Sequence, residues 1–323
     1  MPVIRLARQA MATRFEILLE GEDPVDLRAA GEEALDEIER QESLLSLYRP
    51  TSEISRINRF AHEEPVLVSP PVFDLLMDCR RLWEWSDGAF DITVAPLMRA
   101  WGFLRGTGRW PERAALEEAR RCIGMQHVRL DAERRTVRFE RPGMMLDLGA
   151  VGKGYAIDEA VVLLREAGVR AAFLHGGTST CYGLGVPARA PAWKAAITER
   201  DLAPARSPGE SPSAVGAGDP IETISLRDSS LSVSAVQGKA FEYEGRVYGH
   251  VIDPRSGRPV SGARLAAAVG PRAAWTDALS TALLVVGAEG AERLAARAPG
   301  MGFLVVRRTG AGEERVWAGE SYD

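Results

Sequence analysis

The sequence predicts an α+β fold, with helices and mostly antiparallel strands mixed in one body, and three observations predict it. Hairpin signals recur, as in VRLDAERRTVRFE and AFEYEGRVYGHVID. Stretches of helical period interrupt them irregularly, without the strict strand-helix alternation of a doubly wound sheet. No fixed-period repeat and no linker divides the chain. At 323 residues with 46% hydrophobic content, the chain has enough apolar material to bury a large core. The expectation is a single domain over residues 1–323, with one mobile loop at 203–220. There APARSPGESPSAVGAGDP is too poor in bulky apolar side chains to pack.

Residues 3 to 20 read as one or two strands, since Phe15, Ile17 and Leu19 alternate with Arg14 and Glu16. Asp23 as N-cap and Pro24 in the first turn open a long amphipathic helix running to about Leu45. A polar, turn-rich stretch ends in a short helix at EISRIN. Ser69, Pro70 and Pro71 start another helix, with Phe73, Leu76, Met77, Leu82 and Trp83 at helical spacing, that stops near Gly88. A helix from Pro111 to about Ile123 follows, with Gly124 past its end, and then a hairpin. Beyond the middle of the chain, RAAFLHGGTSTCYGLG reads as two strands joined at Gly176 and Gly177. AWKAAITE, IETISLR, LSVSAV and RLAAAVG each read as one strand, and Glu244 and Gly245 turn a hairpin. Pro254 and Gly257 make the turn DPRSG. Thr276 is the expected cap of a helix reaching Val286, and FLVVRR with ERVWAG suits a terminal hairpin.

Between the two halves stands LDLGAVGKGYAIDEAVVLL, which reads as a strand ending at Asp147, a turn with Gly149, Gly152 and Gly154, and a helix. Glycines at a helix start let backbone amides approach an anion, and the helix dipole favours it there. The spacing G-x-x-G-x-G is neither that of a dinucleotide fingerprint nor that of a P-loop. An anion site of another kind and a plain packing turn both remain open.

The net charge of −5 is mild and the Lys and Arg residues are spread along the chain, so nucleic acid is not the expected partner. The first residues lack an apolar signal core, and no run of eighteen apolar residues occurs, so no transmembrane segment is expected and the expected location is cytoplasmic. Cys79, Cys122 and Cys181 are an odd, scattered set with no C-x-x-C, and no chemistry is assigned to them.

Projected at about 100° per residue, the helix AAWTDALSTALLVVG puts Trp275, Leu279, Ala282, Leu283 and Val286 on one side, with Asp277 and Thr281 together on the other. A carboxylate and a hydroxyl stacked at i and i+4 are hard oxygen donors that suit Mg2+. The alternative is an ordinary first-turn Asp favoured by the helix dipole. Because that side points away from the apolar face, replacing Asp277 should leave the fold intact. Among four histidines, His250 in VYGHVIDPRSG is the best general base, with His175 a weaker rival and His62 and His127 surface residues. A lone His on a strand also serves structure. Met11, Tyr48 and Trp101 either stack on an aromatic ligand or fill the core. GGTSTC is no nucleophile elbow, because Cys181 stands where G-x-S-x-G needs glycine.

Taken in order, MATRFEI, SLYRPTSEISRIN, GAFDITVAPLMRAWGF, LDLGAVGKGYAID, FLHGGTS, GHVIDPRSGRPV and WTDALSTALLVVG resemble the FAD:protein FMN transferases, the ApbE family, over nearly the whole chain. The resemblance implies two related β-α-β units packed into one body. It implies an enzyme that takes FAD as substrate with Mg2+ and moves the FMN half onto a Thr or Ser hydroxyl of an acceptor flavoprotein bearing a flavinylation motif. A phosphoester forms and AMP leaves. By position, Asp277 and Thr281 match the side-chain metal ligands, and Ala150 matches a further oxygen donor, here restricted to its backbone carbonyl. His250 matches the base for the acceptor hydroxyl. Met11, Tyr48, Ala89, Phe90, Asp91, Asp147, Lys153 and Ile252 match positions lining the FAD site. Where many members carry a Thr-Ser-Gly run, this chain has SVSAVQG and keeps only Ser234 and Gly238 of the pattern. Two other readings stay open: an Mg-dependent FAD pyrophosphatase giving FMN and AMP, and a flavin-binding protein without catalysis.

Overall fold

The alternation around Phe15, Ile17 and Leu19 becomes β2 (Thr13–Glu20), paired antiparallel with β1 (Val3–Ala10). Met11 and Ala12 turn the hairpin at φ of 50° and 58°. The computed structural model describes residues 1–198, 220–236, 239–310 and 312–322. Of the loop expected at 203–220, all but Pro220 lies outside the described residues, as does Gly238. Asp23 caps α1 (Pro24–Leu45) by accepting from the Val25 and Asp26 amides, as expected of an Asp before Pro. Then come α2 (Glu53–Phe60), β3 (Val66–Leu67), α3 (Pro70–Trp85), α4 (Ala95–Ala100) and α5 (Arg113–Arg121). β4 (Val128–Asp131) and β5 (Thr136–Phe139) form the expected hairpin, with β3 on its edge.

After α6 (Gly152–Glu166) come β6 (Ala171–Gly176), β7 (Thr180–Leu184), β8 (Trp193–Thr198), β9 (Pro220–Leu226) and β10 (Ser229–Ala235). β11 (Ala240–Tyr243) and β12 (Arg246–Gly249) turn at Glu244 and Gly245, both at positive φ. β13 (Ile252–Asp253) and β14 (Arg258–Pro259) follow, and Gly257 closes their turn at φ 71°. β15 (Ala263–Gly270), α7 (Ala273–Arg297), β16 (Gly302–Thr309) and β17 (Gly312–Gly319) end the chain.

Eight strands form one antiparallel sheet in the order β1-β2-β6-β7-β10-β15-β16-β17. The order exposes an internal likeness. β2, then helices including α6, then β6 in one half answers β15, then α7, then β16 in the other, and each passage is flanked by one further strand on either side. The two related β-α-β passages therefore sit side by side, joined where β7 pairs with β10. Period-two alternation divides the sheet's faces. Ala266, Ala268, Phe303 and Val305 pack toward α7, while Leu265, Ala267, Val269, Leu304 and Val306 pack with Trp193, Ile197, Ile224 and Leu226 of the β8-β9 ribbon.

Three expectations change. The approach to Asp147 is irregular chain, because Leu146 exchanges both backbone bonds with the Asn58 side chain (2.7 and 3.0 Å) and the Asp147 amide donates to the Ile92 carbonyl (2.7 Å). Thr276 lies inside the first turn of α7 and does not cap it. Beyond Val286, α7 resumes after a break at Gly287 (φ 66°, ψ −169°) and reaches Arg297. Among the described residues, no helix is long and apolar enough to cross a membrane.

Candidate active site

α6 and α7 meet start to start. Gly154 permits the meeting, since a Cβ there would lie 2.0 Å from the Ala273 carbonyl oxygen. Gly152, by contrast, has open space where its Cβ would go. Of the two readings of the glycine turn, close packing accounts for Gly154 alone. One turn into α7, Asp277 reaches across this contact. Its Oδ2 accepts from the Gly154 amide (3.1 Å), its Oδ1 accepts from the Thr180 hydroxyl (3.2 Å), and the Lys153 Nζ stands 3.3 and 3.4 Å from the two oxygens. Asp277 is only 4% exposed, so the helix projection misjudged its side of α7. What covers that side is a row of hydroxyls. Ser230, Ser232 and Ser234 alternate along β10 toward α7. Ser230 and Ser232 each bond Thr276 (2.9 Å), Ser232 donates to Thr180 (3.3 Å), and Ser234 bonds Ser280 (2.9 Å) and Thr281 (3.1 Å). The Thr281 hydroxyl also reaches the Asp277 carbonyl at 3.4 Å.

This donor set has a definite character. Among the described residues, no group of three or more His, Cys, Asp and Glu is placed to hold a metal ion. One carboxylate with nearby hydroxyl and carbonyl oxygens is instead the set that suits Mg2+, a hard ion that keeps several waters and takes one or two carboxylates. The Lys153 ammonium already occupies the place of a cation against both Asp277 oxygens. Asp277 and Thr281 therefore suit such an ion in chemistry, and Ala150 lies in the turn just ahead of α6.

On the other side, His250 follows β12 with its ring edge-on to Phe103 (6.4 Å between centroids), and its Nδ1 is buried with no hydrogen-bond partner among the described residues. Burial lowers its pKa from the ordinary 6.5. A backbone hydrogen bond with Lys239 opposes the shift, and the Lys239 and Lys153 ammoniums reinforce it. Lys153 thus acts on Asp277 and His250 alike. Lys239 in turn acts on Asp147, whose carboxyl burial raises while the Gly149 amide and Lys239 pull it down. Asp147 acts on Tyr48, whose phenol is raised first by burial and then by that charge. Tyr48 is 56% exposed and donates to the Leu104 carbonyl (2.7 Å). A continuous electrostatic neighbourhood therefore runs from Tyr48 through Asp147, Lys239, His250 and Lys153 to Asp277.

The other expected positions sit around it. Ala89, Phe90 and Asp91 are buried in the turn beside the Asp147 segment. The Asp91 carboxylate is already occupied by the Thr93 amide and hydroxyl (2.8 and 2.6 Å) and the Met125 amide (3.1 Å), which leaves only the backbone of this turn to offer a ligand. Met11 packs against the core cluster that holds Ala156, Ile157 and Ala273, and Ile252 is buried with Trp101 and Phe103. His175 Nδ1 donates to the Gly177 carbonyl (3.0 Å), and His127 is half-buried against Glu140 (3.1 Å) rather than on the surface. Thr180, Ser230, Ser232, Ser280 and Lys239 escaped the sequence reading. The serines at every second position of SSLSVSA were the available signal, since a central strand seldom puts polar groups on one buried face.

A glycine-opened helix start facing a carboxylate and hydroxyls, with Lys153 acting on both that carboxylate and the His250 imidazole, has the chemistry of a candidate site for an anionic ligand. The chain belongs to the ApbE family, whose model matches residues 11–305. It is 27% identical over 317 residues to the FAD:protein FMN transferase of Salmonella typhimurium, covering 95% of this chain and 85% of that one. It is 29% identical over 276 residues to the FAD:protein FMN transferase of Vibrio cholerae serotype O1, covering 83% and 75%. The crystal structure of the Pseudomonas stutzeri flavinyl transferase ApbE, in its apo form, superposes with a TM-score of 0.80 at 26% identity, covering 98% of this chain and 95% of that chain. The Thermotoga maritima ApbE protein superposes at 0.82 with 25% identity, covering 98% and 97%.

Proposed function

We propose that this chain is a flavin transferase that moves the FMN half of FAD onto a Thr or Ser hydroxyl of an acceptor flavoprotein, with Mg2+, and releases AMP. One juxtaposition carries the proposal: Lys153 and the Gly154 amide, from the glycine turn, meet Asp277 at 3.1 to 3.4 Å while Lys153 also acts on His250. Asp277, Thr281 and the Ala150 carbonyl would hold the ion, which when bound supplies Lewis-acid stabilisation of charge on the diphosphate. Lys153 and the positive end of α6 attract the phosphates. His250, kept neutral near pH 7 by its lowered pKa, takes the acceptor hydroxyl proton. The hydroxyl oxygen bonds to the FMN phosphorus, the diphosphate P–O bond breaks, and AMP departs with the electron pair. Tyr48, Asp147, Met11, Ile252 and the backbone of Ala89 to Asp91 shape the flavin and adenosine sites. Residues 1–323 act as one unit, a reading supported by β1 and β17 closing opposite edges of one sheet. Three unpaired cysteines accord with the cytoplasm.

The test incubates the purified chain with FAD, Mg2+ and a flavoprotein fragment bearing an acceptor threonine, followed by mass spectrometry of the fragment. A mass gain equal to FMN is expected. Free FMN and AMP with an unmodified fragment would make the chain a pyrophosphatase. Intact bound FAD would make it a binding protein.

A further inference from the structure

The start of α7 has no cap of its own: Arg272 precedes it with no side-chain bond to the helix. Four N–H groups at such an end need partners, and a buried end needs them most. The partner comes from α6. Asp158 Oδ1 accepts from the Ala273 amide (2.7 Å) and Oδ2 from the Ala274 amide (2.9 Å). The arrangement is reciprocal, because Asp277 of α7 accepts from the Gly154 amide near the start of α6 (3.1 Å). Each helix caps the other across the contact that Gly154 leaves open. Arg272 steadies the corner, bonding Asp78 of α3 (2.6 Å) with its guanidinium 3.9 Å from Asp158.

We propose that Asp158 is a positioning residue for the reaction: by holding the first two amides of α7 with both oxygens, it sets where Asp277 and Thr281 stand and so how tightly the site binds a divalent cation. Both of its oxygens are taken by those amides, so its part in the reaction is indirect. Asp277 lies one helical turn beyond the capped amides and Thr281 one turn further, so a shift at the helix start reaches both oxygens. Partners one step removed from a metal's ligands typically govern affinity by about 10- to 100-fold. The inference rests on the reading of Asp277 as a metal ligand.

Asp158→Asn tests it, because the amide keeps the shape while turning one acceptor into a donor that faces a backbone N–H. The probe is Mn2+ alone, titrated into the full chain and read by electron paramagnetic resonance of the free ion. The expected result is Mn2+ affinity about 10- to 100-fold weaker. Leu294→Ala, which opens the core beyond the Gly287 break, should lower the melting temperature without moving Mn2+ affinity. That contrast separates position from mere stability. Affinity for Mn2+ within twofold of the parent would overturn the proposal. Should the Asn variant not fold, Asp158→Ser, with one oxygen left to accept, faces the same two limits. Asp277→Ala run alongside guards the premise: if it binds Mn2+ as the parent does, the metal reading itself fails whatever Asp158 does.

Discussion

The two sides of the site are built to opposite standards. On the side of α6, α7 and β10, the polar groups are buried and tied to one another: Thr180, Ser230, Ser232, Thr276 and Ser280 are at most 2% exposed, and each has a hydrogen-bond partner. On the side of β11, β12 and His250, the strands form two-stranded sheets separate from the main one. Tyr243 and Trp110 stack on each other partly exposed, Val247 stands in solvent, and the His250 Nδ1 lacks a hydrogen-bond partner among the described residues. The contrast follows the tasks proposed for them. Charge stabilisation depends on dipoles that need not reorganise, so its donors belong in a packed wall. A base that receives the hydroxyl of another protein needs a side that can be reached.

The largest expected effect falls on the packed side. Asp277→Ala should reduce FMN transfer to assay background. It should also cost about 1–3 kcal/mol of stability, because the Gly154 amide and Thr180 hydroxyl lose their acceptor. Denaturant unfolding read beside the transfer assay checks both, and an unchanged unfolding midpoint would break the contrast. His250→Asn should slow transfer by about 100- to 10,000-fold with the unfolding midpoint nearly unmoved, a pure loss of chemistry on the open side. Gly154→Ala drives a Cβ into the Ala273 carbonyl and should destabilise by about 1–3 kcal/mol, measured by the same unfolding. Trp110→Ala removes a parallel stack 4.5 Å from Tyr243 and should cost only about 0.5–1.5 kcal/mol.

The smallest effect is a shift in pH. His250 lies below its ordinary 6.5 in the folded chain, so the acid limb of kcat/KM should fall below pH 6.5. Lys239→Met, which removes one of the two ammoniums that hold it down, should move that limb upward. The unfolded chain binds this proton more readily. The residue's contribution to stability is therefore complete above pH 6.5 and is lost as pH falls through 6.5 and the folded value.

Local patterns brought much of the candidate site into view. Asp277 with Thr281 shows as a spacing on one helix, and the glycine turn shows as composition. What stayed hidden depends on a second element. Thr276 is a reasonable cap by local rules, yet the amides of α7 are taken by Asp158, 115 residues away in sequence, and no local signal marks such a bond. A helix projection treats the side opposite the apolar stripe as solvent, whereas the serines of β10 bury it. The apolar run before Asp147 has strand composition, but the Asn58 side chain satisfies its backbone in place of a neighbouring strand. His250 stood out only as a histidine beside a turn, and the lysines that tune it come from distant stretches.

The Lys153 ammonium resting on Asp277 makes that corner electrically balanced as it stands. A divalent ion arriving alone would leave surplus positive charge beside Lys153 and Lys239, and a diphosphate arriving alone would face the Asp277 carboxylate. Together they cancel. Ion and nucleotide should therefore tighten each other's hold, and by thermodynamic reciprocity the factor is the same whichever enters first.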